Sequence, residues 1–157
     1  MDKVLLTTEG HKTLVERLAD FKGRGRTEVA EELEEARSHG DLRENADYDA
    51  AKEKQGMLEA NIRMIEDQLA RAEVIDVSRV PTHMVGFGLI VKFENLDTER
   101  VMEYQIVGES EADLTAKKIS VTAPIVKPLL GRSIGDIVEV ELGGEVQELE
   151  VLAIRRP

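Results

Sequence analysis

The sequence predicts an α+β protein, made of an antiparallel helical hairpin followed by a small domain rich in β-strands. Three features of the 157-residue chain support this prediction. Two long segments repeat apolar residues at spacings of three and four, a short acidic segment with a glycine separates them, and an alternating β pattern begins after Pro81. Spacings of three and four are typical of an amphipathic helix, whereas alternation is typical of a strand.

The two helical segments share one pattern. The residues that recur at these spacings are Leu14, Leu18, Phe21, Gly25, Val29, Leu33 and Ala36 in the first segment, and Ala51, Gln55, Leu58, Ile62, Ile65, Leu69 and Ala72 in the second. This spacing is that of a coiled-coil seam, and two seams joined by a short turn fold back on each other. We therefore expect residues 1–76 to form a coiled-coil hairpin.

The turn between the two arms, residues 38–48, is called the acidic turn below. Asp41, Glu44, Asp47 and Asp49 fall within nine residues in and next to it. Carboxylates at this density repel one another unless a cation or ordered water offsets the repulsion. Each arm of roughly 33 residues, at ~1.5 Å per residue, would hold them about 50 Å from the opposite end of the hairpin. The pattern indicates a device that delivers acid groups to a distant site.

The second half reads as a separate module. We expect a linker at residues 77–84, because Pro81 cannot continue a helix, and a C-terminal domain at residues 85–157. The predicted elements are strands at 86–93 and 101–107 joined by a turn at 95–98, a short helix at 124–130, and a hairpin of strands 137–142 and 146–154 across Gly143 and Gly144. This half has no catalytic motif of recognisable spacing, and its expected role is docking.

Composition excludes several classes of protein. The net charge of −11 argues against unaided binding to duplex nucleic acid, because phosphate contacts need Lys and Arg. The absence of Cys excludes disulfides and thiol chemistry. No apolar run approaches the ~20 residues that span a membrane, and the apolar stretch near the N-terminus is too short for a signal peptide. A cytoplasmic protein without membrane contact is expected.

One basic run stands out in this acidic chain. Lys22, Arg24 and Arg26 alternate with Gly23 and Gly25. Two glycines inside a helix cost roughly 1 kcal/mol each relative to Ala, which predicts local bending or fraying. Ion pairing with glutamates across the hairpin is one interpretation of the cations, and contact with a phosphate backbone is the other.

Residues 39–53 resemble the hairpin tip of the bacterial GreA-type transcript cleavage factors, in which the pattern is Gly-Asp-Leu-x-Glu-Asn-Ala-x-Tyr. Residues 104–108, 118–125 and 130–136 are similar to the same GreA/GreB family. The matching blocks follow in the right order, and the resemblance extends from Leu6 to Ile154.

The resemblance implies a transcription elongation factor. Its C-terminal domain would have an FKBP-like fold and dock on bacterial RNA polymerase, and its coiled coil would enter the polymerase secondary channel. The tip would then stimulate the polymerase's own cleavage of backtracked RNA, so that the chain would be an accessory factor and not an enzyme. It also implies contact with the nascent RNA 3′ segment by Lys22, Arg24 and Arg26. We expect a monomer.

The acidic pair of the family corresponds to Asp41 and Glu44. Two carboxylates three residues apart at a helix start can face one side and complete the shell of a Mg²⁺ ion shared with the polymerase. The same spacing is that of a capping box, with Asp41 as N-cap and Glu44 at N3, worth about 1 kcal/mol. The chain departs from the common pattern at Arg43, which leaves open a channel-binding inhibitor of the same fold. A non-catalytic coiled-coil adaptor is the third alternative.

Overall fold

The computed structural model describes residues 2–40 and 45–157. The chain divides into two compact units. One contains Asp2 and residues 11–72, and the other contains residues 3–10 and 73–157. No helix in the described ranges is both long and apolar enough to cross a membrane.

Helices form the first unit, as the sequence predicts. The elements are α1 (Thr8–Asp20), a π-helical segment (Phe21–Gly25), α2 (Arg26–Ser38) and α3 (Ala46–Ala70). Every residue of the two predicted seams is buried or half-buried, whereas most residues between them are exposed. The predicted coiled-coil hairpin is therefore confirmed, with its deepest positions at Leu14, Leu33, Ala36, Ala51, Ile62 and Ile65.

The glycine-rich segment is wound more loosely than its neighbours. The Arg26 N–H donates to the Phe21 carbonyl, five residues back, which is the register of a π-helix. Gly25 faces α3, where a Cβ would lie 3.2 Å from Leu58 Cδ1. The bend or fraying predicted from the two glycines takes the form of a π-helical turn within a continuous helical path.

The second unit contains a five-stranded sheet in the order β5-β4-β3-β7-β6. Its strands are β3 (Ile90–Asn95), β4 (Arg100–Val107), β5 (Lys118–Ser120), β6 (Ile137–Leu142) and β7 (Glu145–Arg155). Neighbouring strands are antiparallel except β4 and β5, which are parallel. One face covers a core of Val85, Val91, Phe93, Ile106, Ile119, Val126, Leu129, Val138, Val140, Leu149 and Val151.

The predicted class, a helical hairpin followed by a small sheet domain, is confirmed, with local differences. The strand predicted at 86–93 starts at Ile90, because Gly88 adopts a φ of +85° in a turn packed against Val77. The helix predicted at 124–130 is a 3₁₀ turn, Lys127–Leu129. The hairpin across Gly143 and Gly144 is confirmed, and both glycines have positive φ.

Two short strands were not predicted. β1 (Val4–Thr7) pairs with β2 (Ala72–Ile75). Residues 3–10 belong to the unit that contains the five-stranded sheet, where the Thr7 N–H donates to Glu111 Oε2 at 3.0 Å and the Thr7 hydroxyl donates to Oε1. The division into residues 1–76, 77–84 and 85–157 stays a prediction.

Candidate functional site at the acidic turn

Asp41 and Glu44, the predicted acidic pair, lie outside the described residues, and so does Arg43. Their assignment as metal ligands and catalytic groups therefore stays a prediction. The structure describes both sides of this segment, from the end of α2 to Gly40 and from Asn45 onward.

Helix α2 ends in a tight turn. The His39 N–H donates to the Ala36 carbonyl at 3.2 Å, and the Gly40 N–H donates to the Arg37 carbonyl at 3.3 Å. Gly40 has a φ of +101°, a conformation that glycine adopts without a steric penalty. The glycine of the acidic turn thus ends the first arm.

Asn45 begins the second arm. Its Oδ1 accepts a hydrogen bond from the Tyr48 N–H at 3.0 Å, which makes Asn45 the N-cap of α3. Its φ and ψ of −89° and 94° are extended, so the helix starts after it, at Ala46. The described N-cap of α3 is Asn45, whereas the capping-box interpretation of Asp41 and Glu44 lies outside the described residues.

Three contacts join the arms beside the turn. Asn45 Nδ2 donates to the Ala36 carbonyl, the Arg37 guanidinium lies 5.9 Å from the centre of the Tyr48 ring, and His39 Nδ1 lies 3.4 Å from Asp47 Oδ2. Tyr48 is half-buried, whereas His39 and Asp47 are exposed. The last turn of α2 and the first turn of α3 are therefore in contact through residues that precede and follow residues 41–44 in the sequence.

An acidic groove of about 400 Å³ runs along the two arms below the turn. The residues that line it are Glu32, Glu35, Ala36, His39, Asp47, Ala50, Ala51 and Lys54. Lys54 Nζ pairs with Glu32 Oε1 at 3.0 Å across the helices. In the part of the chain that the structure describes, no group of three or more His, Asp or Glu side chains could hold a metal ion.

The basic run takes part in ion pairs. Lys22 Nζ lies 2.8 Å from Glu66 Oε2, and Arg26 Nε lies 3.1 Å from Glu59 Oε1, both across the hairpin. The third cation, Arg24, pairs along its own helical path with Asp20 at 3.0 Å and Glu28 at 3.5 Å.

The hydrogen bond from Arg24 lowers the pKa of Asp20 below its ordinary value. All three cations are exposed. The ion-pairing interpretation is thus realised in the free chain, and RNA contact by Lys22, Arg24 and Arg26 stays a prediction.

Comparison with known proteins covers both units. Residues 4–74 match the family model described as transcription elongation factor, N-terminal, and residues 80–156 match transcription elongation factor, GreA/GreB, C-terminal. The chain is 49% identical over 154 residues to a transcription elongation factor GreA of Phenylobacterium zucineum, covering 98% of each. A GreA of Rickettsia bellii is 45% identical, covering 99% of this chain and 96% of the relative.

Solved structures similar to this chain have lower sequence identities than these relatives. GreA factor homolog 1 of Thermus thermophilus is 29% identical, covers 98% of this chain and 99% of its own, and has a TM-score of 0.44. A GreA/GreB factor of Nitrosomonas europaea is 21% identical, covers 99% of each chain, and has a TM-score of 0.42.

Both matching models describe transcription elongation factors, one for the N-terminal part of the chain and one for the C-terminal part. The two family matches together account for nearly the whole chain. The chain belongs to the GreA/GreB family of transcription elongation factors.

Proposed function

We propose that this chain binds bacterial RNA polymerase, inserts its helical hairpin into the secondary channel and stimulates the polymerase to cut backtracked nascent RNA. The observation that carries the proposal is the run from Gly40 to Tyr48, which follows the cleavage-factor pattern in a chain that matches the family over both units. The reaction would be the polymerase's own, and this chain would act as an accessory factor.

The build of the hairpin supports insertion into a narrow, charged passage. Its buried apolar residues form one seam, and its exposed surface carries the paired charges described above, with Val15, Met57 and Met64 as exposed apolar side chains. A helical pair that buries its apolar stripe internally presents a mainly polar surface to its surroundings. It can therefore enter a water-filled channel without exposing a large apolar surface.

The donor set of the acidic pair fits magnesium. Asp41 and Glu44 offer carboxylate oxygens, and Mg²⁺ takes one or two protein carboxylates together with waters and substrate phosphates. When bound, the ion would stabilise charge on the attacking or leaving oxygen of the phosphodiester. In this proposal one carboxylate of the pair ligates the ion jointly with the polymerase, and the other accepts a proton from, and orients, the attacking water.

The remaining assignments divide the chain by task. The domain at residues 85–157 would dock on the polymerase, while Lys22, Arg24 and Arg26 would exchange glutamate partners for phosphates of the displaced RNA 3′ segment. An exposed ion pair contributes only about 0–1 kcal/mol to stability, so breaking these pairs to make such an exchange would cost little free energy.

The test is RNA cleavage in stalled, backtracked elongation complexes. The wild-type chain should accelerate cleavage, and the double variant Asp41→Asn, Glu44→Gln should lose on the order of 10²-fold or more of that acceleration while still competing with wild type for polymerase. The matched control is Asp49→Asn, Glu53→Gln, which removes the same charge from exposed positions of α3 and should behave as wild type.

Three other results would contradict the proposal. Slower cleavage with wild type would identify a channel inhibitor, and polymerase binding without any change in rate would identify an adaptor. Full activity in the Asp41, Glu44 double variant would remove the acidic pair from the reaction. A Mg²⁺ titration of the single variants adds a further readout, because loss of one ligand should raise the Mg²⁺ concentration needed for half-maximal cleavage.

A further inference from the structure

We propose that the first half of β4, residues 100–104, is a docking edge that takes an extended, acidic peptide segment of another protein as an additional strand. The site lies within the sheet unit and shares no residue with the acidic turn or the basic run. Three features support it: backbone groups without a partner strand, a groove beside them, and the cations that surround this groove.

The sheet leaves the first half of β4 with a neighbouring strand on one side only. Residues 100–104 pair with β3, whereas β5 pairs with residues 105–107 alone. The chain enters β5 from a 3₁₀ turn, Leu114–Ala116, and from Lys117 at a φ of +60°, so it does not run beside the earlier part of β4. In the part of the chain that the structure describes, residues 100–104 therefore form an edge of the sheet.

The backbone of Val101 and Glu103 faces this edge. The Gln105 N–H donates to the Lys117 carbonyl, on the side where β5 lies. Alternate residues of a strand direct their N–H and C=O groups to the same side, so Val101 and Glu103 point the same way as Gln105. Within the described ranges, no strand or turn pairs with these groups. They offer two donors and two acceptors to an added strand.

A groove of about 480 Å³ runs beside this edge and is called the edge groove below. Val101 is 49% exposed in it, and Met102 and Tyr104 are half-buried. An extended peptide places successive side chains on opposite faces, so one set would contact Val101 and the other set Met102 and Tyr104. The edge groove therefore offers apolar surface to both sets of side chains of an added strand.

The charges around the edge groove determine which kind of segment fits it. Its lining includes three cations, Arg100, Lys117 and Arg155, and one acid, Glu103. Arg155 lies 3.4 Å from Glu103, so these two charges offset each other. Lys117 Nζ lies 5.7 Å from the centre of the Tyr104 ring, and no ion pair within the described ranges involves Arg100 or Lys117. These two cations favour a segment with carboxylate side chains.

The net charge of −11 does not oppose an acidic occupant. At physiological ionic strength, exposed charges more than about 8 Å apart are largely screened from each other. The cations that line the edge groove, rather than distant carboxylates, therefore set the potential that a docked segment meets.

A second copy of this chain fits the edge groove less well than an acidic peptide does. Two β4 edges that exchange hydrogen bonds between Val101 and Glu103 would place Arg100 of each copy opposite Tyr104 of the other. Lys117 already lies over that ring, so the two cations would meet at the same place. Like charges at facing positions oppose strand pairing.

The probe is a short blocked peptide that alternates valine and glutamate, titrated into the full-length chain up to millimolar concentration. A second peptide alternates valine and lysine. Two further copies of the acidic peptide carry two N-methyl groups each, on alternate backbone nitrogens in one and on adjacent nitrogens in the other. Alternate methyl groups block one edge of the peptide, whereas adjacent ones block both. Calorimetry measures affinity, and hydrogen exchange of the chain's amides locates the binding.

We expect the acidic peptide to bind and to slow hydrogen exchange at Val101 and Glu103. The amides of Met102 and Tyr104 face β3 and should not change. The basic peptide should bind at least about 10-fold more weakly. The peptide with one blocked edge should still bind, and the peptide with both edges blocked should not, because only the first can form a ladder with β4.

Variants of the chain test the same two contributions. Val101→Pro removes an N–H that faces the edge, where proline is tolerated in a strand, and should weaken the acidic peptide on the order of 10-fold. Arg100→Gln, Lys117→Gln should weaken it about 3- to 10-fold. The matched control, Lys127→Gln, Arg132→Gln, removes the same charge from exposed positions of the same unit and should bind as wild type does.

Several results would overturn the proposal. No binding of the acidic peptide, equal binding of the two methylated peptides, or slowed exchange only at amides other than Val101 and Glu103 would show that β4 takes no added strand. Equal affinity for the acidic and basic peptides would remove the acidic occupant. If Val101→Pro lowers the thermal midpoint, the methylated peptides still decide the question, because they need no variant.

The other possible occupants give results of their own. A concentration-dependent dimer that Val101→Pro abolishes would identify a second copy of the chain. A short single-stranded RNA that binds more tightly than the acidic peptide, and that depends on Arg100 and Lys117, would identify nucleic acid. Either result would replace the proposed occupant. None of these measurements involves RNA cleavage, so the docking edge and the function proposed above are tested separately.

Discussion

The two units of this chain are stabilised in different ways. The sheet unit has a continuous core in which Phe93, Leu149 and Val151 are 2% exposed or less. The hairpin has a single seam, flanked by exposed ion pairs such as Lys22–Glu66, and its largest fully buried side chains are fewer. A continuous core keeps the surface of the sheet unit rigid. A single seam is enough to hold two long helices together while most of their side chains stay polar and exposed.

This difference fits the division of labour in the function proposed above, in which the sheet unit docks and the hairpin inserts. Docking needs a surface whose shape does not change on binding, because ordering it would subtract from affinity. Insertion needs a long element with charged side chains on its surface. A two-helix hairpin provides both, but its core is small.

The largest effect is expected from Phe93→Ala in the sheet core. Phe93 is 2% exposed and packs with the Tyr104 ring at a centroid distance of 6.5 Å. Removing a buried phenyl ring should lower the free energy of unfolding by about 3–5 kcal/mol. Thermal denaturation measures it, with Val101→Ala, 49% exposed on the neighbouring strand, as the control. Similar losses in both variants would contradict a deep core.

A smaller loss is expected from Ile62→Ala in the hairpin seam. Ile62 is 2% exposed, but its surroundings are one layer thick and can relax toward solvent. The loss should therefore lie near the lower end of the usual range, about 2–3 kcal/mol, and should appear in the helical circular dichroism signal. Met64→Ala, 54% exposed on the same helix, is the control. A loss equal to that of Phe93→Ala would break the contrast between the units.

The features that were predicted correctly are those encoded by residues close to one another in the sequence. Leu33, Ala36, Ile62 and Ile65 lie on the seam because a period of three and four is written into a few consecutive turns. The positive φ of Gly143 likewise follows from a local turn signal. Such features depend on neighbours in the chain, and the sequence predicted them correctly.

The missed features depend on partners distant in sequence. Strands Val4–Thr7 and Ala72–Ile75 pair across more than sixty residues of sequence. Each is only four residues long, which is too short to show a clear alternating pattern. Ala72 also continues the helical spacing, which extended the predicted seam past the end of α3. Asn45 could have been found, because asparagine directly before a helical run is a favoured N-cap.

A modest effect on stability and a selective effect on activity are expected from Lys22→Gln, Arg24→Gln, Arg26→Gln. Each exposed pair that is lost should lower the free energy of unfolding by about 0–1 kcal/mol. If the cations meet RNA phosphates, activity on long backtracked transcripts should fall more than on short ones. Each lost contact should also flatten the salt dependence of action by roughly 0.7 in log–log terms.

The control for this variant is Lys12→Gln, Arg17→Gln, Arg63→Gln, which removes the same charge from other exposed helical positions. It should lower activity on long and short transcripts equally. Equal activity of the basic-run variant on both substrates, together with an unchanged salt slope, would leave Lys22, Arg24 and Arg26 with ion pairing alone.

The smallest effect is expected from Asp76, an exposed polar cap in the sheet unit. Its Oδ1 accepts hydrogen bonds from the Ser78 hydroxyl at 2.6 Å and the Ser78 N–H at 3.1 Å, and these bonds, the hydroxyl first, lower the pKa of Asp76 below its ordinary value. A lowered pKa means that the folded state favours the ionised carboxylate. The stabilisation is therefore present above the unfolded pKa and is lost as pH falls through the folded value.

Asp76→Asn keeps an acceptor and removes the charge, so it isolates this contribution. Its thermal midpoint should lie slightly below that of wild type from about pH 5 to pH 8, and the difference should begin to shrink below about pH 4 and vanish once Asp76 is protonated in the folded state. Ser78→Ala, which removes the first of the two hydrogen bonds, should reduce the same difference over the same pH range. A gap between wild type and Asp76→Asn that persists unchanged to strongly acidic pH would show that the charge of Asp76 has no part in it. A gap as large as that of Phe93→Ala would show that the sheet unit depends on exposed polar caps as much as on its core, against the contrast drawn between the two units.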